Sequence, residues 1–233
     1  MLTLIMLMSV TACGNSGAGK EMTATTPAVS QEADNSADED GMADKNGQKA
    51  SAENGNVLIA YFSFPETDGT DTDAGASRVV ADGELLGNTE YLANVIYERT
   101  GGDLFAIETV QEYPGIHEPL IEQAAEEQDN GVHPELSTHV ENMEDYDVIF
   151  LGYPNWWADM PMPLYSFLEE YDLSGKTIIP FNSHGGSRFS NTIAEIQKMQ
   201  PGAEVVTDGF TVSRNDVGNA GSDLNAWMEE LGY

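Results

Sequence analysis

The chain has 233 residues, 40% of them hydrophobic, with 40 acids against 9 bases for a formal net charge of −31. So acidic a surface argues against nucleic acid or anionic lipid as a partner and suits docking to a basic protein. The single cysteine, Cys13, excludes an intrachain disulfide and a cysteine-rich metal site, and the four histidines show no metal-ligand spacing. His117, His133 and His139 read as ordinary surface or loop residues, with His184 the exception.

The opening MLTLIMLMSVTAC is an apolar run of signal-peptide length, too short for an ordinary membrane span. Its end, Val10-Thr11-Ala12-Cys13, resembles the lipobox of bacterial lipoproteins, although no Lys or Arg precedes the apolar run. Residues 1–13 are therefore expected to be a lipoprotein signal segment with Cys13 as the lipidation site; a plain secretory signal is the alternative. Residues 14–55 are rich in Ala, Ser, Gly, Asn, Asp and Glu and contain no aromatic residue. Such a segment cannot offset its ordering entropy and is expected to be a disordered tether reaching about 35 Å. Together these place the protein outside the cytoplasm, touching the membrane only through its lipid anchor. Taking the 8 acids and 3 bases of residues 1–55 from the totals leaves 32 and 6 in residues 56–233, a net of −26.

From Asn56 the pattern changes. NVLIAYFS is apolar without alternation, as a buried parallel strand requires. After a long insert, NTEYLANVIYERTGG places Leu92, Val95 and Ile96 on one helical face and stops at Gly101-Gly102. DLFAIETV, YDVIFLGYP, KTIIPFNSHGG and AEVVTDGFTV read as further strands. IHEPLIEQAAEEQDNG, PLYSFLEEYDLSG, SNTIAEIQKMQPG and SDLNAWMEELG read as helices, PLYSFLEEYDLSG with Pro161 and Pro163 near its start and the last capped by Ser222. Five alternations of strand and helix predict an α/β domain over residues 56–233 with a five-stranded parallel sheet covered on both faces. Five strands favour the order 2-1-3-4-5, in which the loops after strands 1, 3 and 4 converge where such sheets bind ligands.

Those three loops are the unusual ones. Strand 1 ends at Ser63 and the first helix begins at Gly87-Asn88-Thr89, offering free amides and the positive end of a dipole to a phosphate. The same residues are also ordinary helix caps. The loop after strand 4 has Ser183, His184, Gly185, Gly186 and Ser187, where paired glycines allow backbone to approach a flat polar ligand or simply turn the chain. The loop after strand 3 places Pro154 and Asn155 before adjacent tryptophans. Neighbouring side chains on an extended segment point to opposite sides. One indole, Trp157, is therefore expected to pack under the third helix, and the other to face the cleft as a stacking wall. Jointly the loops describe a site for a mononucleotide with a large planar ring.

At this point the residues resemble the flavodoxin family, in its bacterial flavodoxin-like branch: YFS…GNT, YDVIFLGYPNWW, LSGKTIIPF and SHGGS. The resemblance covers residues 56 to 232 and implies a three-layer flavodoxin-like fold that binds FMN. Ser63, Gly87, Asn88 and Thr89 match the family's phosphate loop. Pro154, Asn155, Trp156 and Trp157 match the loop flanking the isoalloxazine ring, and Ser183, His184, Gly185, Gly186 and Ser187 the loop on its other edge. The phosphate loop is normally contiguous; here residues 64–86 are inserted and Leu86 stands where a hydroxyl is usual. Thr67, Thr70, Ser77 or Arg78 are the candidates to replace it. Familiar members are also cytosolic, unlike a chain with a secretion signal.

The implied chemistry is flavin redox, with FMN supplying it and the protein orienting the ring and tuning its potential. An indole stacked on the ring and an acidic surround both disfavour added negative charge there. No residue is assigned as a catalytic acid or base; His184 is the nearest candidate. The expected partner is a redox protein docking on the acidic face, or a small acceptor such as a quinone reduced at the expense of a reduced nicotinamide. The rival reading is a cell-surface solute- or nucleotide-binding module without redox chemistry.

Overall fold

A computed structural model describes residues 56–67 and 77–233. The expected signal segment with Cys13, the expected tether over 14–55, and Thr70 lie outside the described residues. In chain order the elements are β1 (Val57–Tyr61), β2 (Arg78–Ala81), β3 (Glu84–Gly87), α1 (Asn88–Thr100), β4 (Asp103–Ala106), α2 (His117–Asn130), β5 (Val148–Pro154), α3 (Met162–Glu170), β6 (Thr177–His184), α4 (Thr192–Met199), β7 (Glu204–Val205), β8 (Phe210–Ser213) and α5 (Gly221–Glu230). The helices α1 and α2 both end on a left-handed glycine, Gly101 and Gly131, whose amide returns to the last turn.

The main sheet is parallel, with β4, β1, β5 and β6 side by side in that order. This is the predicted arrangement of the first four strands. The predicted fifth strand is corrected: it is two pieces, β7 and β8, both parallel to β6, which makes six strands in this sheet among the described residues. The cause is Pro180. On β6 the even-numbered residues face the outer strand, since Ile178 O accepts from Val206 N–H and His184 O from Arg214 N–H. Pro180 occupies the same side and has no N–H to give, so the ladder breaks there. The chain passes the break at Gly209, where a Cβ would collide with Pro180 O.

Register stacks Ile59, Phe150 and Ile179 across the sheet, and side chains then alternate between two buried layers. Ile59, Phe150, Ile179 and Phe181 meet Leu92, Ala93 and Ile96 of α1 and Leu224 and Met228 of α5. Leu58, Ala60, Ile149 and Leu151 meet Leu120 of α2, Leu164, Phe167 and Leu168 of α3, and Ile196 of α4. Gly152 lies directly under the Phe181 ring on the neighbouring strand, leaving no room for a Cβ.

Two local features differ from expectation. Part of the insert is an antiparallel hairpin, β2 with β3, closed by Asp82 (φ 52°) and Gly83 (φ 84°). An Asp-Gly pair flanked by Val79-Val80 and Leu85-Leu86 is the sequence signal for such a two-residue turn. Gly83→Ala forces an L side chain into the left-handed region and should cost about 1 kcal/mol. Faster hydrogen exchange confined to the 78–87 amides is the check. The second correction is Ser222, which does not cap α5. The helix is entered from a tight turn over Val217–Asn219, starts at Gly221, and has no side-chain cap, so Ser222 falls inside its first turn.

Candidate functional site

Past the C-terminal ends of β5 and β6 the two loops are tied together. Asn155 N–H donates to Ser183 O (2.8 Å), its Nδ2 to Arg188 O (2.9 Å), and its Oδ1 accepts from Ser187 Oγ (2.9 Å). Beyond Asn155, Trp156 and Asp159 exchange both backbone hydrogen bonds around a two-residue turn. Its central residues, Trp157 (φ 50°) and Ala158 (φ 62°), are held in a conformation that non-glycine residues rarely adopt.

This turn sets the indoles, and it reverses the expected assignment. Trp156, not Trp157, packs inward. Its ring meets Phe62 (5.4 Å, 87°) and Tyr113 (5.7 Å, 73°) edge to face. Trp157 is 57% exposed, and at its tip Nε1 donates to Ile121 O of α2 (3.0 Å). The expectation failed because the strand ends at Pro154, so the alternation of an extended segment does not reach the pair.

One open cleft of about 640 Å³ collects Asn88, Pro154, Asn155, Trp156, Trp157, Ser183, His184 and Gly185. Three separated segments thus meet at one cleft, as expected. The remaining predicted residues shape the walls. Gly186 (φ 128°) donates its N–H to His184 Nδ1 (2.9 Å), and Ser187 braces Asn155. Ser63 is displaced from the cleft and opens on a separate groove lined by Phe62, Phe64, Ile107 and Tyr113.

The start of α1 is also different from the bare phosphate nest expected. Asn88 N–H donates to Ser77 O (2.8 Å), Glu90 N–H to Ser63 Oγ (3.3 Å), and Gly87 N–H to Glu90 Oε2 (3.1 Å). The chain's own groups take up these donors, and Gly87 is needed because a Cβ would overlap Ser63 Oγ. What remains open is side-chain chemistry. Asn88 is 1% exposed, and neither its Nδ2 nor its Oδ1 has a partner; Thr89 Oγ1 next to it is equally buried and unpartnered. Buried amides almost always find partners, so an unpaired one facing a cleft marks a place where a ligand completes the bonding.

Sequence reasoning missed several wall residues. Leu120, Ile121 and Ala124 present one face of α2 to the cleft, and Arg214 enters from the end of β8. His117, set aside as a loop histidine, stands at the start of α2 with Nδ1 2.7 Å from Oε1 of the buried Glu66. The i, i+3, i+7 spacing of 117, 120 and 124 marks a face, but nothing in it says that the face turns toward this loop cluster. Among the described residues no group of His, Cys, Asp and Glu is placed to hold a metal ion, and no helix is long and apolar enough to cross a membrane.

A family model described as flavodoxin matches residues 77–231. The chain belongs to the flavodoxin family. Solved structures agree in fold. A protein of Bacteroides eggerthii provisionally classed as a flavoprotein is 26% identical, with a TM-score of 0.57, over 77% of this chain and 99% of its own. One of Bacteroides uniformis, classed in the same way, is 27% identical with a TM-score of 0.53, over 72% and 97%. A flavoprotein of Lactobacillus acidophilus solved in complex with FMN is 18% identical with a TM-score of 0.51, over 75% and 99%, a likeness of fold alone. No curated protein matches the chain. FMN is the cofactor of the flavodoxin family, and the residues present fit it: an unpartnered buried amide at Asn88, two indoles, and a polar rim of backbone and hydroxyl groups.

His184 gives the site a pH dependence. Burial, and secondarily the Arg188 guanidinium, hold its imidazole below the ordinary value of 6.5. Its Nδ1 accepts the Gly186 N–H and so carries no proton. The neutral ring therefore supports the loop above about pH 6.5, and this support is lost as pH falls through the lowered value. Histidine proton NMR should show His184 titrating below the ordinary value, with the Gly186 amide losing protection in step.

Proposed function

We propose that the protein is an FMN-binding redox protein of the flavodoxin kind, transferring electrons to a protein partner or reducing small acceptors such as quinones. The observation that carries this reading is the orphaned, buried amide of Asn88, a residue lining the same cleft as both tryptophans. Bound FMN supplies the one- and two-electron chemistry. Asn88, with Thr89 beside it, would hold the phosphate; Trp156 and Trp157 would flank the ring; Asn155, Ser183, His184 and Gly185 would meet its polar edge. Ser63, Gly87, Gly186 and Ser187 would act by positioning the residues that do.

The tether and its Cys13 lipid anchor belong to the same proposal, placing the domain at the outer face of the cytoplasmic membrane. A domain of net charge −26 is suited to a basic redox partner.

Incubation with FMN followed by gel filtration should leave a flavin absorbance spectrum with the protein. A protein that stays colourless would return the site to solute capture without redox chemistry. Steady oxidation of a reduced nicotinamide in the presence of a quinone marks the reductase role, and its absence the carrier role. Asn88→Leu separates holding a ligand from holding the fold. It removes two buried atoms without partners, so the cofactor-free protein should gain about 1 kcal/mol of stability. FMN affinity should meanwhile fall about tenfold. A denaturant titration and a flavin fluorescence titration on the same preparation test both halves.

A further inference from the structure

The domain over residues 56–233 carries six basic side chains against 32 acids. Four are engaged. Arg78 donates to Glu66 O (2.6 Å), Arg99 to Tyr233 O (2.7 and 2.9 Å) and Lys176 to Tyr146 O (2.5 Å), while Lys198 pairs with Glu195 (2.9 Å). The other two, Arg188 and Arg214, have no hydrogen-bond or ion-pair partner for their guanidinium groups among the described residues; Arg214 lines the cleft, and Arg188 lies on the adjoining loop, where its charge acts on the cleft residue His184. With carboxylates so abundant, a guanidinium left unneutralised in the cleft wall is not the result of a shortage of partners.

Both are placed firmly. Arg214 follows the last residue of β8, and its N–H donates to His184 O (2.9 Å). Its half-buried side chain lies across the Gly185 backbone, where a Cβ would come within 3.1 Å of Nη1 and 3.3 Å of Cζ. Glycine at 185 leaves the guanidinium room to lie close over the loop. Arg188 is exposed in a left-handed conformation (φ 53°), and its carbonyl is held by both Asn155 and Asn182. The backbone at both positions is thus fixed by hydrogen bonds.

We propose that Arg214, assisted by Arg188, forms an anion subsite at the ring end of the cleft that holds the phosphate of a small co-substrate, of the nicotinamide dinucleotide class. A polyanion approaching a surface of net charge −26 is repelled, and the unpaired Arg214 in the cleft wall, with Arg188 on the adjoining loop, marks where it can land. Guanidinium groups bind phosphate through paired N–H donors, which suits them to this role. The cofactor's own phosphate is placed elsewhere. Asn88 lies on the β1 side of the cleft, and β8 is three strand spacings from β1, about 14 Å. The identity of the co-substrate rests on the flavin reading above; the anion subsite itself does not.

The test is calorimetric titration of oxidised NADP, which cannot reduce the flavin, into FMN-loaded and FMN-free protein, with nicotinamide riboside as the phosphate-free control. Arg214→Gln should weaken NADP binding about tenfold and Arg188→Ala by a smaller factor. Arg214→Lys should recover part of the loss. Riboside binding and FMN affinity should stay within about threefold of the parent protein, and NADP affinity should fall steeply with added salt. The proposal is overturned if the parent protein does not bind NADP, or binds it as tightly without Arg214 and Arg188. It is also overturned if Arg214→Gln abolishes FMN binding and spares NADP, which would assign the guanidinium to the cofactor's phosphate. If the protein takes up no FMN yet binds NADP in an arginine-dependent way, the subsite stands and the flavin reading falls. Arg188, exposed on its loop, serves as the second variant should Arg214→Gln fail to fold.

Discussion

Gly152→Ala is expected to destabilise the domain by about 3 kcal/mol, the upper end of the range for over-packed cores. The position is in the middle of β5, and its Cβ would enter the Phe181 ring, itself fully buried between β6 and the α1–α5 layer. Neither group can retreat: the backbone is paired on both sides, to Tyr61 and to Phe181, and the ring has no exposed edge to swing toward. A denaturant midpoint measures the loss. Phe181→Leu removes the obstructing ring atoms, so in the double variant the two costs should fall well short of their sum. Additive costs, or an alanine tolerated within about 0.5 kcal/mol, would show that the ring does not sit over the glycine.

Trp156→Ala and Trp157→Ala should behave as opposites. Trp156 joins Phe62 and Tyr113 in an edge-to-face cluster against the core, so its truncation should cost about 3 kcal/mol of stability and weaken FMN binding in addition. Trp157 stands mostly in solvent with a single hydrogen bond to α2. Its truncation should leave stability within about 0.5 kcal/mol of the parent. FMN affinity should still drop by up to about tenfold, the worth of one stacked ring. Thermal melts and flavin fluorescence titrations on the two variants separate the roles. Equal stability losses would reject the division of labour.

How far the sequence spoke depends on the range of the interaction that decides each feature. Strands and helices follow from local periodicity, and uninterrupted apolar runs such as Val148–Leu151 already say that both sheet faces are covered. The convergence of Asn88, Trp156 and His184 followed from strand order alone. Features decided by one residue against another across the sheet were harder. The split of the outer strand needed the knowledge that Pro180 turns its missing N–H outward, which depends on register. The exchange of roles between the tryptophans was set by a two-residue turn containing no glycine, so nothing in its composition announced it. Ser63 matched a motif but faces a different groove, because the helix start it was to share with a ligand is closed by Ser63 and Glu90 themselves. Arg214 was invisible for a simpler reason: it matters through its position over Gly185, 29 residues earlier in the chain. The Asp82-Gly83 turn was legible and needed only to be weighed against its flanking valines and leucines.

The interrupted outer strand has a further consequence, for self-association. A parallel sheet ends in rows of unpaired amides and carbonyls that invite strands from other molecules. Here one margin is the four-residue β4, and the other is broken into pieces of two and four residues by Pro180 and Gly209. A foreign strand finds no uninterrupted ladder to zip along. The proline that spoils the fold's tidiness thereby guards against fibrous stacking.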